Sequence, residues 1–369
     1  MSPLLRASAA SPGARGRASL RPLVVAVAAS LVIASCTQGG PASLTAPTPT
    51  AAESAAGSAA GSVPPSVSPT PALSGTIRLY TSVTQGTVDA VVAVYKAAHP
   101  AVTVEVFRAP TGELAGRIAA EQREGRIRGD ILWLTDPLSI QAYASQGLLR
   151  TWQPAAAAAL DPAYRGEAFW GTRLLNMVMI RGADVTPGPA SWKDLADPAY
   201  RDAVAIPDPG FAGSAFGALG YFALTEGYGL DFYRSLKANG AVQVKSPDEV
   251  TTGVAEGRFK VGMTLDYSAR TAIGKGSPIE IVWPDSGAIA IYSPIAVVGA
   301  TDNAPAAESF VELVLSDAGQ RAIASTGWQP VLPGAGGPQP GGPQVAPDWA
   351  TAFGRQKELL ADYRAIFGG

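Results

Sequence analysis

Five short turns rich in hydroxyl, acidic and glycine residues stand directly before helical patterns in this sequence. Backbone N–H groups at a helix N-terminus have no partner inside the helix, and the helix dipole adds positive charge there, so such turns suit an anion. Phosphate, phosphonate and carboxylate groups are therefore the expected ligands. The candidate ligand-binding residues are Thr81, Ser82, Thr111, Gly112, Asp136, Gly213, Ser214, Asp266 and Tyr267.

The five turns differ in the kind of ligand group that they could bind. Asp266 is followed by Tyr267, and together they suit the cationic end of a zwitterionic ligand. Ser, Thr and Asp are also good helix N-caps and glycine suits turns, so capping alone is the alternative for every turn. Capping is the favoured explanation for Asp136, which precedes Pro137, whereas Thr111 with Ser214 is a stronger candidate for ligand contact than any single turn.

The sequence contains few residues suited to metal binding or nucleophilic catalysis. The chain has one cysteine, Cys36, and one histidine, His99, which excludes intramolecular disulfides and zinc or copper sites built from Cys or His. His99 stands in an Ala-His-Pro helix stop, where we expect a surface position that does not suit a catalytic base. No GxSxG motif or Walker-type loop occurs. We predict no catalytic residue, metal site or cofactor, although paired carboxylates for glycoside hydrolysis stay open among the 30 acidic residues.

Strand and helix patterns alternate around these turns. The strand patterns are Thr76–Tyr80, Val102–Phe107, Asp130–Leu134, Ala203–Ile206, Val242–Val244 and Lys260–Thr264. The helix patterns are Thr87–Ala98, Ser214–Leu224, Leu230–Lys237 and Pro247–Glu256, with further helices after Pro110, Pro137 and Asp266. This order is typical of doubly wound α/β domains, whose ligands lie beyond the carboxyl ends of the strands. We predict two α/β lobes with a cleft between them, so that Thr111-Gly112 and Gly213-Ser214 approach the ligand from opposite sides.

An apolar run, Leu23–Ile33, lies directly before the single cysteine. Four arginines and no acidic residue precede the run, which is shorter than the roughly 20 apolar residues that span a bilayer. A basic start, an apolar core and a small-residue exit are typical of an export signal, predicted here as residues 1–35. Ile33-Ala34-Ser35-Cys36 looks like a bacterial lipobox, so Cys36 is the predicted lipidation site and membrane anchor. An ordinary signal peptide with an incidental or buried cysteine is the alternative.

Residues 36–74 have the composition of a disordered linker. They consist mainly of Ala, Ser, Thr, Pro and Gly and hold one charged residue, Glu53. Such a segment buries too little apolar surface to offset the entropy lost on ordering. We expect a tether between the lipid and the folded part, with a glycosylated stalk as the alternative.

The charge of the chain argues against a nucleic-acid partner. Residues 1–35 contain four of the 28 Lys and Arg residues and none of the 30 Asp and Glu residues, so the remainder carries a net charge of −6. Nucleic-acid binding requires a basic face.

We expect a monomer at the extracellular face of the cell membrane, or in the periplasm of a two-membrane organism.

An ordered set of sequence blocks across residues 76–369 resembles the solute-binding proteins of ABC importers. The early blocks are Ile77-Arg78-Leu79-Tyr80-Thr81-Ser82, Thr111-Gly112-Glu113-Leu114, Asp130-Ile131-Leu132-Trp133 and Gly147-Leu148-Leu149. The later blocks are Trp192-Lys193-Asp194-Leu195, Pro198-Ala199-Tyr200-Arg201, Val261-Gly262-Met263, Ser293-Pro294-Ile295-Ala296 and Gly327-Trp328-Gln329-Pro330-Val331. Each block is loose, but their order is specific. The most similar branch contains ferric-ion, phosphonate, sugar-phosphate and thiamine binders.

The resemblance implies a type II periplasmic-binding-protein fold, in which two doubly wound α/β lobes joined by hinge-crossing strands close on a ligand. Lobe 1 would comprise residues 75–176 plus 286–330, and lobe 2 residues 177–285 plus 331–369. The implied protein is a lipoprotein, not an enzyme, that delivers a small anionic or zwitterionic solute of the phosphonate or phosphate-ester class to an ABC permease and its ATPase. Deaminases related to this fold attach their cofactor through a lobe cysteine, which this chain lacks. An accessory protein that reports a ligand to a membrane receptor is the alternative of another class.

Ferric-ion and thiamine binding stay open within the same family. The family's iron binders carry a histidine soon after the first strand and adjacent tyrosines in the second lobe. This chain has Thr81-Ser82-Val83-Thr84 after that strand and no Tyr-Tyr pair; its second lobe offers Tyr267, with Tyr292 nearby in sequence. Thiamine binders hold the ring with aromatic residues, for which Tyr80, Trp133 and Tyr221 are the candidates and core packing is the alternative.

Overall fold

The computed structural model of the protein describes residues 72–368, which belong to one compact unit. The strands are β1 (Gly75–Thr81), β2 (Val102–Arg108), β3 (Ile131–Trp133), β4 (Trp170–Gly182), β5 (Val204–Pro207), β6 (Val242–Val244), β7 (Val261–Leu265), β8 (Ile279–Val282), β9 (Ala288–Val297), β10 (Gln329–Pro330) and β11 (Gln344–Val345). The helices are α1 (Gln85–Ala98), α2 (Thr111–Arg123), α3 (Pro137–Ser145), α4 (Gly213–Leu224), α5 (Gly229–Ala238), α6 (Pro247–Ala255), α7 (Asp266–Gly274), α8 (Ala304–Leu315), α9 (Asp317–Ser325) and α10 (Trp349–Phe367). Short 3-10 helices cover Ala155–Ala159, Pro162–Tyr164, Trp192–Ala196 and Pro198–Tyr200. The predicted signal peptide and Cys36 lie outside the described residues, as does nearly all of the linker.

The strands of the described residues form one sheet, whose main path is β2-β1-β3-β9-β4-β7-β5-β6. At one end β1 pairs in parallel with β2 and β3, and at the other β5 pairs in parallel with β6 and β7. The long strands β9 and β4 pair antiparallel between these two groups. We call β1–β3 with α1–α3 the first lobe, and β5–β7 with α4–α7 the second lobe. The residue boundaries predicted for the two lobes stay a prediction.

The strand register brings the carboxyl ends of both lobes to the middle of β4. Trp133, at the end of β3, pairs with Ile295 of β9, which also pairs with Trp170 at the start of β4. From the other side Leu265, at the end of β7, pairs with Met177 of β4. The turns that follow both sets of strands therefore meet around residues 170–177. Ligands of open α/β sheets bind at such edges.

The crossing strands β4 and β9 are almost completely buried. Every residue of β4 except Arg181 is buried, and Met177 joins Trp133 and Ile291 in one large apolar cluster. Burial of each such side chain contributes about 1.5–3 kcal/mol. A rigid centre of this kind holds in place any side chain that β4 directs into the cleft.

The C-terminal helix α10 lies against α4 and α5 of the second lobe and also contacts α3 of the first lobe. Its Tyr363 is buried, with its ring centroid 5.0 Å from that of Tyr233. Among residues 72–368, no helix is both long and apolar enough to cross a membrane.

Candidate functional site

A cavity of about 150 Å³ lies between the two lobes beside the middle of β4. Hydroxyl side chains provide most of its polar lining: Ser82, Thr84, Thr111, Thr135, Ser214, Ser246 and Ser268. Arg108 and Arg173 add two positive charges, and Asp248 adds one carboxylate. The lining is therefore richer in hydrogen-bond donors and positive charge than in acidic groups.

Five helices begin at this cavity: α1 and α2 from the first lobe, and α4, α6 and α7 from the second. The side chains of the N-cap residues of α1, α2, α4 and α7 accept no hydrogen bond from the first backbone N–H groups of their helices. The exception is Ser246, whose hydroxyl accepts a hydrogen bond from the backbone N–H of Glu249 in α6. Because the positive ends of these helix dipoles converge, the electrostatic potential of the cavity favours an anion.

Arg173 is a buried cation that has no carboxylate partner in the described part of the chain. The residue is 1% exposed, and its guanidinium carbon lies 3.9 Å from the centroid of the Trp328 ring. Its Nη1 is 3.5 and 3.4 Å from the hydroxyls of Thr84 and Thr87, while its Nε has no hydrogen-bond partner among the described residues. No ion pair within residues 72–368 includes Arg173. Burial lowers the pKa of this guanidinium well below its usual value, and the nearby charge of Arg108 lowers it further. A bound anion would compensate this charge.

The first lobe presents three linked hydroxyls to the cavity. Thr135 Oγ1 is 3.2 Å from Ser82 Oγ and 3.1 Å from Thr111 Oγ1. Gly213 of the second lobe packs against them, since a Cβ atom at Gly213 would lie 2.8 Å from Thr135 Oγ1 and 2.9 Å from Thr111 Oγ1. Glycine at this position lets the start of α4 approach the first lobe closely.

Gly112 makes a second contact between the lobes. Its backbone N–H donates a hydrogen bond to the carbonyl oxygen of Phe211 at 3.3 Å. A Cβ atom at Gly112 would lie 2.7 Å from the carbonyl oxygen of Gly210. The structure therefore has its lobes in contact along this edge, and Gly112 touches the opposite lobe rather than lining the cavity.

The structure brings five of the nine predicted ligand-binding residues to the cavity wall: Ser82, Thr111, Gly213, Ser214 and Tyr267. Thr81, Gly112, Asp136 and Asp266 do not line the cavity. The Thr81 hydroxyl donates to the carbonyl oxygen of Trp133 at 2.7 Å and is fully buried. Asp266 is paired with Arg270 at 3.0 Å, so its charge is compensated inside the second lobe. Ligand contact by any of the nine residues stays a prediction.

Asp136 is the N-cap of α3, and the second lobe covers it. Its Oδ1 accepts the backbone N–H of Ser139 at 2.7 Å, in agreement with the expected capping role. Its Oδ2 has no partner among the described residues and would lie 2.3 Å from a Cβ atom at Gly213. Burial raises the pKa of Asp136 to about 6, because the enclosed carboxylate loses its hydration.

Asp136→Asn is expected to change how stability depends on pH. The folded protein keeps a proton on Asp136 up to about pH 6, whereas an unfolded chain releases it near pH 4. The free energy of unfolding of the wild type therefore falls as the pH rises through this window. Asparagine does not titrate, so it removes this pH dependence, and it still caps the helix. The difference in the free energy of unfolding between Asp136→Asn and wild type should therefore increase, in favour of the variant, by on the order of 2–3 kcal/mol between pH 4 and pH 7.

Urea unfolding at pH 4 and pH 7 measures this change. Asp161→Asn is the matched control, because Asp161 also caps a helical turn before a proline but is exposed. The prediction for Asp136 fails if the free energy of unfolding of Asp136→Asn differs from that of wild type by the same amount at pH 4 and at pH 7, as we expect for Asp161→Asn.

Sequence reasoning missed Arg108, Arg173, Asp248 and Trp328 as parts of the site. One signal for Arg173 was present: it is an arginine inside the otherwise largely apolar stretch Trp170–Ile180. A charge within a buried strand needs either a partner or a function. Arg108 directly follows a predicted strand, Asp248 lies in the first turn of a predicted helix, and Trp328 belongs to a sequence block of the family resemblance. Nothing in the pattern distinguished these three as residues of the site.

The aromatic residues considered for thiamine or iron lie mostly in the core. Tyr80, Trp133 and Tyr221 are buried and do not line the cavity. Tyr267 lines it, with its ring stacked on that of Trp328 at a centroid distance of 4.0 Å. Tyr292 is 8% exposed and packs against Tyr164 and Trp349.

Within residues 72–368, no group of three or more His, Cys, Asp and Glu residues is placed to hold a metal ion. His99 ends α1 as expected, but it is half-buried rather than on the surface. Its Nε2 lies 3.1 Å from Ser309 Oγ, and its ring packs against Tyr95. These contacts place the histidine away from the cavity.

Comparisons with known proteins agree with this architecture. A family model described as bacterial extracellular solute-binding protein matches residues 77–329. Iron-bound HitA from Pseudomonas aeruginosa is 22% identical, with a TM-score of 0.69 over 79% of this chain and 99% of that chain. AfuA from Actinobacillus pleuropneumoniae, with fructose-6-phosphate bound, is 18% identical, with a TM-score of 0.71 over 79% and 98%.

Two further relatives complete the comparison. The substrate-binding protein of an ABC transporter from Agrobacterium tumefaciens is 16% identical, with a TM-score of 0.71 over 80% of this chain and 97% of that chain. A Haemophilus influenzae protein described as uncharacterized is 31% identical over 134 residues, so the match spans 36% of this chain and only 39% of that relative. The solved structures confirm the predicted two-lobed α/β fold of the type II periplasmic-binding-protein class.

Proposed function

Because this chain belongs to the family of bacterial extracellular solute-binding proteins, we propose that it captures a small anionic or zwitterionic solute with a phosphoryl or phosphonyl group and delivers it to an ABC permease. The observation that carries this proposal is Arg173, a buried guanidinium that lines the cleft and has no carboxylate partner among the described residues. Five converging helix N-termini and the hydroxyls of Ser82, Thr111 and Ser214 supply further donors for an oxyanion.

The composition of the cavity supports an oxyanion over ferric iron as the ligand. Iron(III) prefers several anionic oxygen ligands. The cavity offers one carboxylate, from Asp248, and one phenol, from Tyr267, together with two arginines that repel a cation. Fructose-6-phosphate, the solute in the structure of AfuA, is a phosphate ester and falls in the proposed class.

The transport cycle follows from contact of both lobes with one solute. Thr111 and Ser214 line the cavity from opposite lobes, so a solute bound to both favours the closed arrangement through its differential affinity. The permease then recognises the closed form. In this proposal the protein is a monomer held at the membrane by lipid on Cys36, and its two lobes have the boundaries predicted from the sequence. An accessory role for a membrane receptor would use the same cleft.

Thermal unfolding of residues 72–369 with a solute panel tests the proposed ligand class. The panel contains methylphosphonate, glycerol 3-phosphate, glucose 6-phosphate, ferric citrate, citrate alone and thiamine. A solute at about 100 times its dissociation constant adds about 2.7 kcal/mol to the free energy of unfolding. We expect phosphoryl or phosphonyl compounds to raise the melting temperature and ferric citrate and thiamine to leave it unchanged. A shift with ferric citrate only, accompanied by a coloured charge-transfer band, would contradict the proposal.

A further inference from the structure

The inter-lobe cavity continues outward into a second, larger cavity of about 640 Å³. The two cavities share five lining residues: Thr84, Arg108, Asp248, Tyr267 and Ser268. Beyond them the outer cavity is lined by Thr252, Thr271 and Ser277, with Glu256 and Lys275 as charged residues. A solute whose anionic group lies at Arg173 therefore has room to extend past the shared residues toward solvent.

Asp248 supplies the carboxylate at the junction of the two cavities. It follows Pro247 in the first turn of α6, and its Oδ1 accepts a hydrogen bond from the hydroxyl of Ser268 in α7. The residue is exposed, and within residues 72–368 it forms no ion pair, although Arg108 lines the same cavities. The contact with Ser268 orients the carboxylate and leaves its second oxygen available to a solute.

We propose that Asp248 determines specificity by selecting solutes that carry a hydrogen-bond donor beyond their phosphoryl group. This inference rests on the proposed function, because it places the phosphoryl group at Arg173. A carboxylate accepts hydrogen bonds from hydroxyl and ammonium groups and repels a second anion. The solute class is therefore a phosphate monoester or phosphonate with a hydroxyl or amino substituent, rather than a simple phosphonate or a bisphosphate.

Glu249 provides a matched control for Asp248. Both residues are acidic and lie in the first turn of α6, where negative charge stabilises the helix dipole. Glu249 lines neither cavity, and its carboxylate accepts the backbone N–H of Lys245 at 3.2 Å. Removal of its charge therefore changes the same helix turn without changing the cleft.

Titration calorimetry with three probes tests the role of Asp248. Methylphosphonate, 2-aminoethylphosphonate and glycerol 3-phosphate are titrated into residues 72–369 of the wild type, Asp248→Ala and Glu249→Gln. In Asp248→Ala we expect roughly a tenfold or greater loss of affinity for at least one of the two probes that carry a donor. The affinity for methylphosphonate should be unchanged or higher, because a repulsive charge has been removed. Glu249→Gln should leave the ratios of the affinities as in the wild type.

Each outcome of this experiment has a defined meaning. A loss confined to 2-aminoethylphosphonate supports the proposal with an ammonium as the donor, and a loss confined to glycerol 3-phosphate supports it with a hydroxyl. An equal loss for all three probes, no loss for any, or the same change of ratio in Glu249→Gln overturns the role of Asp248 and leaves the proposed function intact. If the wild type binds none of the three, the proposed function fails, and this inference fails with it.

Discussion

Arg173→Gln is expected to weaken the binding of phosphoryl and phosphonyl solutes by roughly 30- to 1000-fold, because loss of a buried charge partner costs about 2–4 kcal/mol of binding energy. The same substitution should leave the free energy of unfolding of the unliganded protein unchanged or raise it. The reason is that it removes a buried cation whose Nε has no partner among the described residues. A purely structural arginine would show the opposite pattern, with lower stability and unchanged affinity.

Arg270→Gln is the control for this experiment. Arg270 also lies near the cleft, but it is paired with Asp266 at 3.0 Å, donates to the carbonyl oxygen of Gly327 at 2.9 Å and lines neither cavity. We expect it to lower the free energy of unfolding in urea and to change the affinity little by calorimetry. Wild-type affinity in Arg173→Gln would remove this residue from the site.

Gly112→Ala is expected to keep the lobes apart and to reduce solute affinity by roughly 5- to 150-fold, the usual range for coupling between a conformational change and binding. The added methyl group would lie 2.7 Å from the carbonyl oxygen of Gly210 in the opposite lobe. Because that atom belongs to the backbone, the strain is relieved most readily by separation of the lobes. Alanine favours helix more than glycine does, so α2 itself should not be destabilised.

Small-angle scattering of the solute-saturated protein measures closure alongside the affinity. Gly86→Ala is the matched control, because Gly86 is likewise the second residue of its helix, α1, and a Cβ atom there meets nothing within 4 Å. The variant at Gly112 should keep a larger radius of gyration than the control in the presence of solute. Equal radii and equal affinities would show that closure does not depend on this contact.

Much of the fold was predictable from the sequence because local patterns determine it. The alternation in Thr76–Tyr80 and the apolar spacing in Thr87–Ala98 predicted β1 and α1 with ends that agree with the structure to within two residues. The same holds for the second series of elements, from β5 to the start of α7. The positions of the turns followed directly, since each lies between a strand and a helix with strong patterns.

The geometry of the site was harder to predict because it depends on contacts distant in sequence. Gly112 was a candidate for ligand contact, but it touches Gly210 of the other lobe. Asp136 caps α3 as the sequence favoured, but its cover by Gly213 of the other lobe was not predicted. Asp266 was expected to meet a cationic group of the ligand, yet Arg270 is already paired with it. Arg270 follows Asp266 by four residues in α7, so this pairing could have been predicted from the sequence. The contacts of Gly112 and Asp136 could not, because they depend on how the two lobes pack together.

Arg173 is the converse case, because it lines the cavity but was not predicted as part of the site. Most residues of β4 are apolar, and only the pairing of β4 with β9 and β10 places Arg173 beside Trp328 and between the lobes. Hydrophobic periodicity describes which residues a strand buries, whereas the function of a buried charge depends on which elements surround it. The ligand identity is in turn a property of those surrounding groups, which explains why capping chemistry alone left several anions open.

A crystal structure of residues 72–369 with the phosphate ester or phosphonate that binds best tests the central claim most directly. The account predicts that the phosphoryl or phosphonyl group lies within hydrogen-bond distance of the Arg173 guanidinium, enclosed by the first turns of α2 and α4. A solute bound elsewhere on the protein, or a metal ion held by Tyr267 in this cleft, would contradict it.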